Sequence, residues 1–186
     1  RRASRAERGA AVTRGPWHND AMAQFLTSIT PRVERFIAEQ HLFFVATAAR
    51  DGQVNVSPKG LDTLRVVSPN RVAWLNGTGS GNETAAHVLD IPRMTIMFCA
   101  LEGNPWIVRL YGRPTMVQPP DEGWEAWVSL FPPLKGARQV FVLDIDRVIT
   151  SCGFGVPLFA YEGQRTTMDQ WFDKLGPDRV QEYQRE

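Results

Sequence analysis

Two short polar stretches carry the residue types that could bind a phosphate group. Ser57-Pro58-Lys59 places a hydroxyl and an ammonium at the end of a predicted strand. One strand later, the glycine-rich stretch over 76–84 leads into a helix predicted at 83–89. Free N–H groups at a helix start, the hydroxyl of Thr84 and a nearby ammonium all favour an anion. The two stretches together predict a site for a phosphorylated cofactor.

The spacing excludes two common phosphate-binding loops. A mononucleotide P-loop has its lysine directly after the last glycine, whereas Lys59 lies far upstream of Gly81. A dinucleotide fingerprint requires GxGxxG, and Asn82 stands where the third glycine belongs. The surrounding segments alternate like antiparallel strands and not like a strand–helix–strand unit. A plain turn stays open as the alternative reading of the loop, because any tight turn can use glycine.

The charge distribution divides the chain into a basic start and a mildly acidic body. Residues 1–14 contain five arginines and one glutamate, and the rest has a small excess of acidic groups. We expect a loosely attached tail over 1–21 and one domain over 22–186, a length that suits a single core. A nucleic-acid arm, a targeting peptide and sequence upstream of a start at Met22 stay open for the tail. The acidic body argues against nucleic acid as a general partner.

Membrane, metal and disulfide chemistry are not indicated by the sequence. No run of 18 apolar residues occurs, so no membrane partner is expected. Cys99 and Cys152 are far apart and outside any CxxC pattern, which favours free thiols in a cytoplasmic protein. The three histidines show no metal-ligand spacing. His87 lies one helical turn after Thr84, and we interpret it as a surface or interface histidine.

The hydrophobic pattern predicts a mainly β (α+β) fold: an antiparallel split β-barrel of six or more strands with peripheral helices. Thr30-Pro31 begins a first helix, and Asp51-Gly52 is a hairpin turn. Strands are predicted over 42–48, 53–57, 63–67, 71–76, 94–101, 107–118 and 138–150. A helix over 121–130 and two short helices divided by Gly176-Pro177 complete the pattern.

The order of these segments resembles the pyridoxamine 5'-phosphate oxidase-like family of FMN-binding split barrels. The resemblance covers about residues 30–164 and is closest to an uncharacterised bacterial branch. It depends on a strand ending Val-Ser-Pro-Lys-Gly and on the glycine-rich loop before Asn-Glu-Thr. Arg-Leu-Tyr-Gly-Arg over 109–113 and Ser-Cys-Gly-Phe-Gly-Val-Pro over 151–157 complete it.

The resemblance implies a homodimer with FMN sites at the subunit interface, and it assigns residues by position. The phosphate would be met by Ser57, Lys59, Asn82 and Thr84. The edge of the isoalloxazine would lie along the backbone of Val54, Asn55 and Val56. The side chain of Arg109 would point to the flavin region, and the pocket wall would be formed by Cys152, Gly153 and Phe154, across the dimer if the site is shared.

One departure argues against the activity that gives the family its name. The vitamin B6 oxidase has a C-terminal Arg-x-His motif for the substrate phosphate, and this chain has no histidine after His87. The resemblance therefore implies an FMN-dependent oxidoreductase with an unidentified small-molecule substrate and with NAD(P)H or oxygen as redox partner. The flavin would supply the chemistry, and no catalytic side chain is assigned. A flavin or haem carrier or sensor without turnover, and a deazaflavin (F420) reductase, are the alternatives.

Overall fold

The computed structural model describes residues 23–185, so the expected basic tail and the start of the domain at residue 22 lie outside the described residues. The strands are β1 (Gln24–Leu26), β2 (Phe43–Ala48), β3 (Val54–Lys59), β4 (Leu64–Ser68), β5 (Arg71–Gly77), β6 (Met94–Cys99), β7 (Ile107–Val117) and β8 (Ala137–Ser151). The helices are α1 (Pro31–Ala38), α2 (Glu83–Asp90), α3 (Trp124–Val128), α4 (Thr167–Leu175) and α5 (Pro177–Arg185). None of these helices is long and apolar enough to span a bilayer.

Local sequence signals determine where α1 and the first hairpin lie. The Thr30 hydroxyl accepts a hydrogen bond from the Val33 N–H at 3.3 Å, and Pro31 occupies the first turn of the helix. Gly52 has φ +100° at the turn between β2 and β3, a conformation that favours glycine. Both predicted features are confirmed.

The strands form one antiparallel sheet in the order β3-β2-β6-β7-β8-β5-β4. The long strand β8 pairs with β7 along one edge, and its other edge is shared by β5 and β1. Strands β3 and β4 are the two ends of the order, so the barrel is not closed. The predicted antiparallel split barrel with peripheral helices is confirmed, while the three-residue strand β1 was missed because it is too short for a periodic pattern.

The sheet curls strongly around its main core. The rings of Phe43 on β2 and Trp74 on β5 are 6.4 Å apart, although β6, β7 and β8 separate these strands in the sheet. On the outside, α3 packs Trp124 and Trp127 against a second cluster that includes buried Leu75. The curl therefore brings the ends of distant strands together at one opening of the barrel.

The prediction that the second hairpin strand ends before Pro58 is wrong. Strand β3 continues to Lys59, with Pro58 opposite Phe44 and Lys59 opposite Phe43. Because β3 is an edge strand with a single neighbour, a proline can be accommodated where its missing N–H does not face that neighbour. The extension makes Lys59 part of the sheet and fixes its side chain relative to the core.

Candidate functional site

Lys59 is the central charged residue of the candidate site. Its side chain points into the split barrel, where Nζ lies 5.1 Å from the centre of the Trp74 ring on β5. Burial lowers the pKa of Lys59 below its usual 10.5, and the negative charge of Glu83 partly opposes this effect. Within residues 23–185, Lys59 makes no direct ion pair. The site therefore contains a half-buried cation without a directly paired carboxylate.

A chain of polar side chains joins β3 to the start of α2. The Asn55 Nδ2 atom donates to Thr84 Oγ1 at 3.4 Å, and Ser57 Oγ donates to Asn55 Oδ1 at 3.0 Å. Thr84 is only 5% exposed. Its hydroxyl therefore holds the helix on the strand, and Ser57 and Lys59 are the more accessible phosphate candidates.

Asn82 immediately precedes α2 but does not cap it with its side chain. Its Oδ1 atom instead accepts a hydrogen bond from Gln139 Nε2 at 3.2 Å, and Gln139 Oε1 accepts one from Asn76 Nδ2 at 3.1 Å. Gln139 is 1% exposed, so this is a buried polar bridge from β5 and β8 to the helix start. Gln139 was not identified from the sequence. It lies two residues before Phe141 on β8 and therefore points to the same face of the strand, where a polar residue among apolar ones could have been noticed.

His87 makes a further polar contact between α2 and the sheet. Its Nδ1 atom lies 3.1 Å from Oγ1 of Thr47, a residue of β2 that is 4% exposed. This contact fits the expectation of a satisfied histidine, and Thr47 was not singled out from the sequence. Thr47 lies opposite Asn55 in the β2–β3 pair, so two hydrogen-bonded contacts, Thr47 with His87 and Asn55 with Thr84, join these strands to α2.

The outer side of β3 has a different character. Val54 and Val56 are 67% and 58% exposed, and their side chains point away from the barrel interior. Only β2 pairs with β3 among the described strands, so one edge of β3 has unpaired backbone groups. A flat ligand could therefore be bound through main-chain atoms at the predicted positions 54–56.

The structure places Arg109 on the opposite face of the sheet from Lys59. The cross-strand pairs lead from Arg109 on β7 to Met97 on β6 and to Phe44 on β2. Phe44 in turn pairs with Pro58 on β3, the neighbour of Lys59. Cross-strand partners share a face and neighbours along a strand alternate, so Arg109 faces outward with Pro58. Its guanidinium donates to Ser151 Oγ at 3.1 Å. Within one chain, Arg109 therefore lies apart from the inward-facing side chains of Lys59 and Ser57.

The predicted pocket wall lies just beyond β8. Gly153 is buried, and a Cβ there would lie 3.0 Å from the Trp106 backbone nitrogen, so the chain packs closely at this point. Phe154 is 73% exposed and Cys152 is half-buried with a free thiol. The following segment crosses to β3's end of the sheet, where the Tyr161 ring stacks on His41 at 3.7 Å. The wall residues therefore begin beside Pro105 and Trp106, in front of β7.

Asn82 also borders an open cleft of about 1020 Å³. It separates the end of the barrel from α4 and α5, and its lining includes Arg138, Phe172 and Gln184. Asn82 is the one predicted site residue that contributes to it. Between residues 23 and 185 there is no group of three or more acidic, cysteine or histidine side chains arranged to hold a metal.

Solved structures of other proteins share the fold of this chain. The chain shares its fold with HupZ of Group A Streptococcus, at a TM-score of 0.53 and 24% identity over 64% of this chain and 91% of HupZ. A Lactobacillus delbrueckii protein provisionally assigned as a pyridoxamine 5'-phosphate oxidase gives a TM-score of 0.53 at 18% identity, covering 66% and 94% of the two chains. At these identities the likeness establishes the split-barrel fold.

The sequence itself establishes the family. The family model described as pyridoxamine 5'-phosphate oxidase matches residues 29–152, so the chain belongs to this family. It is also similar to an Aspergillus flavus protein named pyridoxamine 5'-phosphate oxidase family protein ustO, with 40% identity over 142 residues. That match covers 74% of this chain but 57% of the fungal protein, so the chain spans a little over half of its relative.

Proposed function

We propose that this protein binds FMN and acts as an FMN-dependent oxidoreductase on a small molecule. The observation that carries the proposal is the half-buried ammonium of Lys59, which has no direct ion pair in the described chain and lies near the start of α2. A phosphate there would compensate the buried positive charge and accept hydrogen bonds from free N–H groups of the helix start and from the Ser57 hydroxyl, which would turn away from Asn55 Oδ1.

The residues present fit a flavin phosphate in three respects. The Asn82 side chain does not cap α2, and its backbone carbonyl accepts from the Ala85 and Ala86 N–H groups, so the N–H groups of Glu83 and Thr84 are the ones that Asn82 leaves for a ligand. A Cβ added at Gly79 would meet nothing within 4 Å, which leaves room beside the loop. The free edge of β3 offers main-chain groups over 54–56 for the ring system. When bound, the flavin would supply the redox chemistry by exchanging a hydride at N5, with NAD(P)H or oxygen as redox partner.

We further propose that the complete site forms in a homodimer. Lys59 and Ser57 face inward, whereas Arg109 faces outward on the same side of the sheet as exposed Val56 and Phe25. Groups on opposite faces of one sheet can contribute to one ligand site if a second chain packs on the outer face. The exposed apolar side chains of that face suit such a contact.

The oligomeric state tests the dimer. Light scattering should give twice the mass of the chain, and Val56→Glu should shift it toward monomer while Val67→Glu on β4, also an exposed valine, should not. A monomer at micromolar concentration would refute the shared site.

The visible spectrum of the purified protein tests the cofactor. The two bands of oxidised flavin, retained after desalting or restored by adding FMN, are expected. Bleaching by NADPH or NADH and recovery in air would then support the oxidoreductase. A Soret band would favour haem and a deazaflavin spectrum would favour F420, and either would replace the FMN assignment.

A further inference from the structure

The carboxylate of Glu83 lies over the glycine-rich loop at the start of α2. An ideal Cβ on Gly81 would be 2.6 Å from both carboxylate oxygens, so the exposed Glu83 side chain lies directly against the loop backbone and would have to move if Gly81 carried a side chain. Glu83 is the first residue of the helix, where the backbone dipole favours a negative charge. Its side chain thus folds back toward the loop that we assign to the phosphate.

The same carboxylate acts on the candidate phosphate-binding lysine. The charge of Glu83 raises the pKa of Lys59, against the larger effect of burial. Glu83 acts on Lys59 in this way without a direct ion pair between the two side chains. Glu83 therefore supplies the negative charge that the helix start and Lys59 both favour.

We infer that Glu83 is an internal anion of the phosphate cradle, which competes with a ligand phosphate and must turn away when that phosphate binds. This inference rests on the proposed function and concerns the regulation of that same site. Two anions near one ammonium repel each other, so the carboxylate weakens binding of the phosphate group. It does not act on the uncharged ring system in this way.

The consequence is a cofactor that exchanges. A cradle without Glu83 would hold a flavin phosphate more tightly, whereas in the native cradle the Glu83 carboxylate would return to the loop at the helix start when the ligand leaves. Occupancy of the protein should therefore follow the concentration of free flavin phosphate. The neutral replacement Glu83→Gln keeps the size of the side chain and removes only this competition.

Calorimetric titration of wild type and Glu83→Gln with FMN, riboflavin and inorganic phosphate tests the inference. We expect Glu83→Gln to bind FMN and inorganic phosphate about twofold to fivefold more tightly, the range for one exposed charge at a helix terminus. Riboflavin, which lacks the phosphate, should bind equally to both. Glu34→Gln is the matched control, because Glu34 is also an acidic residue in the first turn of an eight-residue helix, α1.

A structural role for Glu83 predicts a different pattern. Losing a favourable helix-dipole interaction would lower the melting temperature of the ligand-free variant and would not increase its affinity for phosphate. Unchanged FMN affinity, or an equal change for riboflavin, would overturn the inference while leaving flavin binding intact. If no flavin binds to wild type, the proposed function fails, and tighter inorganic phosphate binding by Glu83→Gln would still support the internal anion. Failure of both variants to bind any of the three would refute both.

Discussion

Replacing Lys59 by methionine gives the most direct test of the candidate cradle. The change removes the ammonium but keeps an unbranched, flexible side chain that can still pack against the Trp74 ring, which lies 5.1 Å from Nζ. A hydrogen bond to a charged group contributes about 1.5–3 kcal/mol. Since about 1.4 kcal/mol is a factor of ten in affinity, FMN should bind roughly tenfold to over a hundredfold more weakly.

The stability of the ligand-free protein separates this effect from a loss of structure. Burial disfavours the charged form of Lys59, so removal of the charge is expected to leave the free energy of unfolding unchanged or slightly higher. Quenching of FMN fluorescence gives the affinity, at fixed ionic strength because salt screens charge contacts. Urea unfolding of the ligand-free protein gives the stability. Lys174→Met, at an exposed lysine in the last turn of α4, is the matched control.

Two results would refute the reasoning. If Lys59→Met binds FMN as tightly as wild type, the end of β3 is not the phosphate site. If affinity and stability fall together, Lys59 has a structural role that the ligand-free protein already requires. Lys59→Arg should restore only part of the affinity, because a planar guanidinium does not replace a compact ammonium in a confined position.

Four further outcomes follow from individual residues. FMN affinity should fall as the pH rises toward 10.5 in wild type but not in Lys59→Met, because burial lowers the pKa of Lys59 and phosphate needs the charged form. Over the same alkaline window the stability of the ligand-free wild type should rise relative to that of Lys59→Met, since Lys59 binds its proton more tightly in the unfolded chain than in the folded one; urea unfolding of the two proteins measures this. Gln139→Leu should lower the free energy of unfolding by about 1–3 kcal/mol, because the Asn76 amide would lose its buried partner. Gly112→Ala should lower the free energy of unfolding by about 1–3 kcal/mol or more, since a Cβ would lie 1.9 Å from the Asp144 carbonyl oxygen. Urea unfolding would contradict either prediction if the variant matched wild type.

Most of the fold could be predicted because its signals are local. Thr30 and Pro31 mark the start of α1, and the glycine of the Asp-Gly turn closes the first hairpin. The end of β3 could not be predicted in this way. Whether a proline interrupts a strand depends on which edge is paired, and pairing is a property of the whole sheet.

The candidate site shows the same division between local and tertiary information. The residues of the proposed phosphate site were predicted from their types and spacing. In the structure, Ser57 and Thr84 are joined through hydrogen bonds to Asn55. The outward direction of Arg109 could have been read from its alternation with buried Val108 and Leu110. The position of Glu83 could not, because a side chain that folds over its own helix start leaves no periodic signal.

The three lysines of the chain show why Lys59 is functionally informative. Lys135 is exposed and pairs with Asp173 at 2.5 Å, and Lys174 is exposed on α4. Of the three, Lys59 alone points into the barrel, where the loss of water around its charge is unfavourable. The face of the Trp74 ring compensates this cost only in part. A lysine that only terminated an edge strand would be more stable in water. Its position between Trp74 and the start of α2 is therefore better explained by an anionic ligand than by the stability of the strand.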